Sequence, residues 1–95
     1  MIASYRDRRT EAFARGEFVK AFQGFERQAA KRLANLNAAT SIVSLRDLPG
    51  NRLEILKANR SGQYWIRINR QWRICFKWPD SQSGPSDVEI VDYHQ

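Results

Sequence analysis

The sequence predicts an α+β fold, a small and mainly antiparallel β-sheet packed against N-terminal helices, in one domain over residues 1–95. Three observations carry that expectation. Apolar residues recur at spacings of three and four through residues 18–39, the period of a helix. They alternate in "YWIRINRQWRICFKW", the period of paired strands. The chain has 95 residues, enough for one modest core and too few for two. With 42% hydrophobic and 12% aromatic residues, it reads as a folded globule and not a disordered chain.

Taken in order, "IASY" mixes apolar and small residues over the length of a first strand, which "RDRRT" ends. Thr10 and Glu11 begin a short helix that Gly16 punctuates. The next helix spans residues 18–39, with Phe18, Phe22, Phe25, Ala29, Leu33 and Leu36 on its core side. Lys20, Arg27, Lys31 and Arg32 fall largely elsewhere. Gly24 then sits inside that helix at a cost of about 1 kcal/mol relative to alanine. "SIVSLRDLPGNR" closes the helical region, with Pro49 and Gly50 as a turn. "RLEILK" reads as a strand and "ANRSG" as the loop after it.

The register of the following hairpin can be argued directly. Tyr64, Ile66 and Ile68 alternate on one strand, and Trp72, Ile74, Phe76 and Trp78 on the next. Pairing Ile68 with Trp72, Ile66 with Ile74 and Tyr64 with Phe76 gathers the apolar groups on one face. Asn69, Arg70 and Gln71 become a three-residue loop. The same register sets Arg67 opposite Arg73 on the other face, beside Trp65 and Cys75. Like charges opposite each other destabilise a sheet, so this face calls for an anion or for carboxylates such as Asp92 or Glu89. After the polar loop "PDSQSGPS", "DVEIVDYH" forms the last strand, with Asp92 and His94 on one face and Tyr93 on the other.

Charge is unevenly distributed. Arg46, Arg52, Lys57, Arg60, Arg67, Arg70, Arg73 and Lys77 face only Asp47 and Glu54 within residues 46–78, so this segment carries the chain's whole net +6. A concentrated, mostly arginine excess suits a polyanion such as nucleic acid, an acidic protein, or simply a solvated basic face. The single Cys75 excludes an internal disulfide, the charged start "MIASYRDRRTEAF" offers no apolar leader, and no apolar run has a membrane span's length. A cytoplasmic protein without membrane attachment is the expectation.

Site chemistry is narrowed by what the chain contains. One histidine and one cysteine do not make a His/Cys metal site, and no glycine-rich phosphate loop is present. Neither metal nor cofactor is expected. Cys75, within an alternating strand, reads as a small hydrophobe. Arginine, lysine, tyrosine, aspartate and the lone His94 suit metal-free RNA cleavage. A base takes the 2′-hydroxyl proton, an acid protonates the leaving 5′-oxygen, and cations hold the phosphate. The same residue types also fit a non-catalytic binding surface with His94 a bystander.

"PGNRLEILKANRSGQYWIRINRQWRICFKW" followed by "VEIVDYH" closely resembles the HigB group of RelE-like toxins. That resemblance implies a small RelE-like fold and a ribosome-dependent messenger-RNA endonuclease of a type II toxin–antitoxin module, which inhibits translation and growth. By the resemblance, Lys57 and Arg73 are phosphate-stabilising cations, and Asp92, Tyr93 and His94 form a C-terminal catalytic cluster. His94 transfers protons, Tyr93 stacks on or orients substrate, and Asp92 orients a neighbour. Arg60 and Arg67 are expected RNA contacts outside the chemistry. The implied partners are messenger RNA on the ribosome, with ribosomal-RNA contacts, and a HigA-like helix-turn-helix antitoxin. The alternative is a RelE-like fold that binds nucleic acid or antitoxin without catalysis.

Overall fold

Asp7 starts the first helix. In the computed structural model, which describes residues 1–48, 54–55, 62–79 and 82–92, its side chain accepts the N–H of Thr10 at 2.9 Å and caps α1 (Arg8–Ala14). The helix ends on Gly16 at φ +92, with Gly16 N–H donating to the Phe13 carbonyl and Glu17 N–H to that of Ala12. This left-handed closure satisfies carbonyls that the last turn leaves open, and glycine adopts it without a Cβ penalty.

The single helix expected over residues 18–39 is interrupted. A 3₁₀ turn (Lys20–Phe22) comes first, and α2 (Glu26–Ala38) follows. Gly24 is not inside a helix: it takes φ +99 in the connection, and its N–H is held by Glu26 Oε1 at 3.0 Å. Phe18 consequently lies off any helical face and is 70% exposed, correcting its assignment to the core. Phe22 and Phe25 are buried as expected, and Ala29, Leu33 and Leu36 supply the buried face of α2.

A short helix, α3 (Ile42–Arg46), occupies what the sequence presents only as the end of the helical region. Ser41 and Ser44 exchange side-chain bonds with each other's backbone N–H groups, at 3.1 and 3.3 Å, and so form a capping box. Leu45 fastens this turn to the core.

The sheet runs β1–β2–β3–β4, antiparallel throughout: β1 (Glu54–Ile55), β2 (Gln63–Arg67), β3 (Trp72–Lys77) and β4 (Ser86–Asp92). The hairpin register matches the sequence expectation: Tyr64 faces Phe76, Ile66 faces Ile74, and Arg67 faces Arg73. Ile68 N–H donates to the Trp72 carbonyl at 3.0 Å, closing the three-residue loop. Between Cys75 and Lys77 the β3–β4 pairing shifts, and β4 carries Asp87 at φ +51 there. A β-bulge at that point increases the local twist. Of the expected "RLEILK" strand, Glu54 and Ile55 pair with Trp65 and Tyr64, and the remainder lies outside the described residues, as do Pro49 and Gly50.

The expected first strand is reduced to one parallel bridge, Tyr5 to Val88, on the outer edge of β4. Ala3 N–H donates to Pro85, Arg6 N–H to Val88, and Val88 N–H returns to Ser4. Beyond Arg6 the chain turns into α1, where side chains continue the edge: Thr10 Oγ1 accepts Ile90 N–H at 3.0 Å, and Arg9 Nη2 donates to the Ile90 carbonyl at 3.4 Å. An edge strand is thus covered without a full neighbouring strand.

One face of the sheet builds the core, with Ile66, Ile68, Ile74, Phe76, Val88 and Ile90 packed against Phe22, Phe25, Leu33, Leu36 and Leu45. An aromatic chain joins the layers. Phe22 meets Phe13 edge-on at 5.4 Å and Trp72 at 5.7 Å, and Phe25 stacks on Trp72 at 4.9 Å. Such pairs add about 0.5–1.5 kcal/mol beyond the area they bury. No helix among the described residues is long and apolar enough to cross a membrane.

Candidate active site

Arg73 stands mid-sheet near the hairpin end of β3, on the face away from the helices. Alternation makes this inevitable once Trp72, Ile74 and Phe76 take the core side. Its guanidinium turns back toward the loop, where Nη1 donates to the carbonyls of Asn69 at 2.5 Å and Trp72 at 3.1 Å. Arg73 is only 7% exposed, and Cys75 and Gln63 further along the same face are also buried, so this face is less open than alternation alone suggests. Carbonyl dipoles answer part of the question raised by two facing arginines. They stabilise the Arg73 charge and draw its head group toward the loop.

The carboxylates considered as partners for this pair are engaged elsewhere. Glu89 Oε1 lies 3.8 Å from Arg6 Nε. Asp92 accepts the Gln71 side-chain amide at 3.0 Å. Arg67 is half-buried and makes no ion pair among the described residues. Two like charges on one rung repel each other.

Asp92 sits opposite Trp72, one register step beyond the Arg73–Val91 pair. The two candidate residues are therefore adjacent in the sheet but alternate in side-chain sense. Asp92 instead ties the end of β4 to the hairpin loop through Gln71. Lys57, Arg60, Tyr93 and His94 lie outside the described residues.

Sequence reasoning treats Asn69 and Gln71 as loop filler, whereas both organise the site. Asn69 Oδ1 accepts the N–H groups of Gln71 and Trp72, each at 2.8 Å, while Gln71 carries the link to Asp92. An asparagine opening a short loop is the usual signal for a side-chain-closed turn, and "NRQW" contains it.

An antiparallel sheet with helices on one face and a paired-arginine rung on the other defines a small basic α+β protein. The chain belongs to the HigB-like toxin family, the RelE-like toxins of type II toxin–antitoxin system HigB, whose model matches residues 5–94. It is similar to Toxin HigB-1 of Vibrio cholerae, at 44% identity over 50 residues covering 53% of each chain. A second relative, an uncharacterised protein of Haemophilus influenzae, is 34% identical over 53 residues, covering 56% of this chain and 52% of its own. The chain thus spans about half the length of the curated relatives it matches.

Among solved structures, the YoeB–YefM complex from Staphylococcus aureus superimposes with a TM-score of 0.60 at 22% identity, covering 100% of this chain and 97% of the other. The YoeB/ParE toxin from Agrobacterium tumefaciens gives 0.59 at 12% identity, covering 98% of each. These two likenesses establish the RelE-like fold.

Proposed function

We propose that this chain, as one toxin domain, is the toxin of a type II toxin–antitoxin module and cuts messenger RNA on the ribosome. The observation that carries the proposal is the Arg67–Arg73 rung on the sheet face away from the core, in a chain of the HigB-like family. Phosphodiester cleavage by an adjacent 2′-hydroxyl concentrates negative charge on the phosphate oxygens. A buried, carbonyl-anchored guanidinium is suited to stabilise that charge without reorganising.

In this reading Arg73 and Lys57 neutralise the phosphate. His94 moves a proton between the 2′-hydroxyl and the leaving 5′-oxygen, a task for which imidazole is suited near neutral pH. Tyr93 stacks on or orients the nucleotide. Asp92 orients the cluster by fastening the end of β4 to the loop through Gln71. Arg67 and Arg60 contact RNA outside the reacting bond. No metal or cofactor enters the reaction. A cytoplasmic setting and a HigA-like helix-turn-helix antitoxin complete the reading, and a YoeB toxin of the same fold occurs in complex with YefM.

The test is inducible expression of the wild type, His94→Ala and Arg73→Ala, with messenger-RNA ends mapped in translating cells. Growth arrest with cleavage by the wild type, and strong loss in both variants, supports the proposal. Undiminished cutting by folded His94→Ala removes that residue from the chemistry, and a wild type that neither cuts nor arrests growth overturns the function.

A further inference from the structure

We infer that Asn69 is a positioning residue for Arg73, holding its guanidinium in place through the hairpin loop; this rests on the phosphate-binding role proposed for Arg73. The bonds form a closed circuit. Asn69 Oδ1 accepts Gln71 N–H and Trp72 N–H, both at 2.8 Å, which fixes the loop backbone. The fixed loop presents the Asn69 carbonyl to Arg73 Nη1 at 2.5 Å. Arg73 Nη1 also reaches the Trp72 carbonyl at 3.1 Å, and that oxygen receives Ile68 N–H at 3.0 Å and Asn69 N–H at 3.3 Å.

An arginine head group sits on a long, rotamer-rich side chain, and holding it costs conformational entropy. Two backbone oxygens, which carry no formal charge, hold this head group before any ligand arrives. The side chain of Asn69 never touches Arg73 in this circuit. It acts by preventing the peptide after Asn69 from rotating its carbonyl away. Without the two Oδ1 bonds, the loop keeps the Gln71–Asp92 side-chain bond, which holds Gln71 and not the peptide that follows Asn69.

The test measures single-turnover cleavage of ribosome-bound messenger RNA by purified full-length protein. Asn69→Ala should lower the cleavage rate about tenfold while leaving half-saturation by ribosomes nearly unchanged, because misplacing a charge-stabilising group affects the transition state more than docking. Asn69→Asp keeps the acceptor oxygen and should recover the rate to within about threefold. In an Arg73→Lys background, Asn69→Ala should have no further effect; an equal fall in both backgrounds would mean a general loop role and overturn the inference. Wild-type cleavage by Asn69→Ala would overturn it too.

A readout independent of cleavage is the nitrogen-15 NMR signal of the Arg73 guanidinium. Restricted rotation should resolve its Nη groups in the wild type and be lost in Asn69→Ala, with thermal midpoints close together. If Asn69→Ala does not fold, Asn69→Ser, whose hydroxyl closes the same turn more weakly, takes its place. A wild type that cuts no RNA defeats the proposed function, and the NMR comparison then decides the brace by itself.

Discussion

Thr10→Val tests how the edge of β4 is closed. Thr10 is fully buried on α1, and its Oγ1 accepts the Ile90 backbone N–H at 3.0 Å. Valine has nearly the same shape, so the substitution opens no cavity but removes the hydroxyl that accepts this bond. The Ile90 N–H is then left buried without a partner, at a cost of about 1–3 kcal/mol. Thr10→Ser makes the opposite change, keeping the oxygen and losing a methyl group worth roughly 0.8 kcal/mol. Serine should therefore be the milder substitution although it removes more apolar surface. Urea unfolding reads both as shifts in midpoint at constant slope. A loss of about 2 kcal/mol in Thr10→Val corresponds to a fall in Tm of roughly 10 °C for a domain of this size. A Thr10→Val protein as stable as the wild type, or more stable than Thr10→Ser, would refute the argument that this side chain substitutes for a missing ladder bond.

Phe22→Ala should cost about 3–5 kcal/mol, since its ring is fully buried between Phe13, Phe25 and Trp72, whereas Phe18→Ala should stay within about 0.5 kcal/mol; calorimetry of the pair checks the corrected core. Gly24→Ala should destabilise by about 1–2 kcal/mol from backbone conformation alone, because φ is +99 and a Cβ there meets nothing within 4 Å; urea midpoints test this. The Tyr5 phenol is pushed above its ordinary value near 10, first by burial and then by the Glu11 carboxylate. The native state therefore holds that proton where the unfolded chain has released it, so stability present below pH 10 should decline as pH rises through the folded value, less steeply in Tyr5→Phe.

The hairpin was legible because its determinants are local. Two alternating runs joined by three residues admit one register that gathers Tyr64, Ile66, Ile68, Trp72, Ile74 and Phe76 on one face, and Arg67 opposite Arg73 follows from that register alone. The helix over residues 18–39 misleads for a related reason: its spacing is consistent from Phe18 onward, but periodicity places side chains only while the backbone stays helical. At φ +99, Gly24 breaks the helix, and Phe18 loses the face it was assigned. The α3 turn is too short for periodicity, and only its Ser41–Ser44 capping box marks it.

Within the site, the sequence by itself determined which strand face Arg73 occupies and that it faces Arg67. Side-chain type and period-two alternation suffice for that. Only the tertiary structure decided that Arg73 is buried against loop carbonyls, that Glu89 serves Arg6, and that Asp92 holds Gln71 on the other side of the strand. It alone brought residues 3–10 against β4, whose Ile90 bonds to Thr10 across a separation of 80 positions. The reason is physical. A backbone N–H at a sheet edge donates to any suitably placed oxygen, and which oxygen arrives depends on how the helices pack, not on the residues flanking the strand.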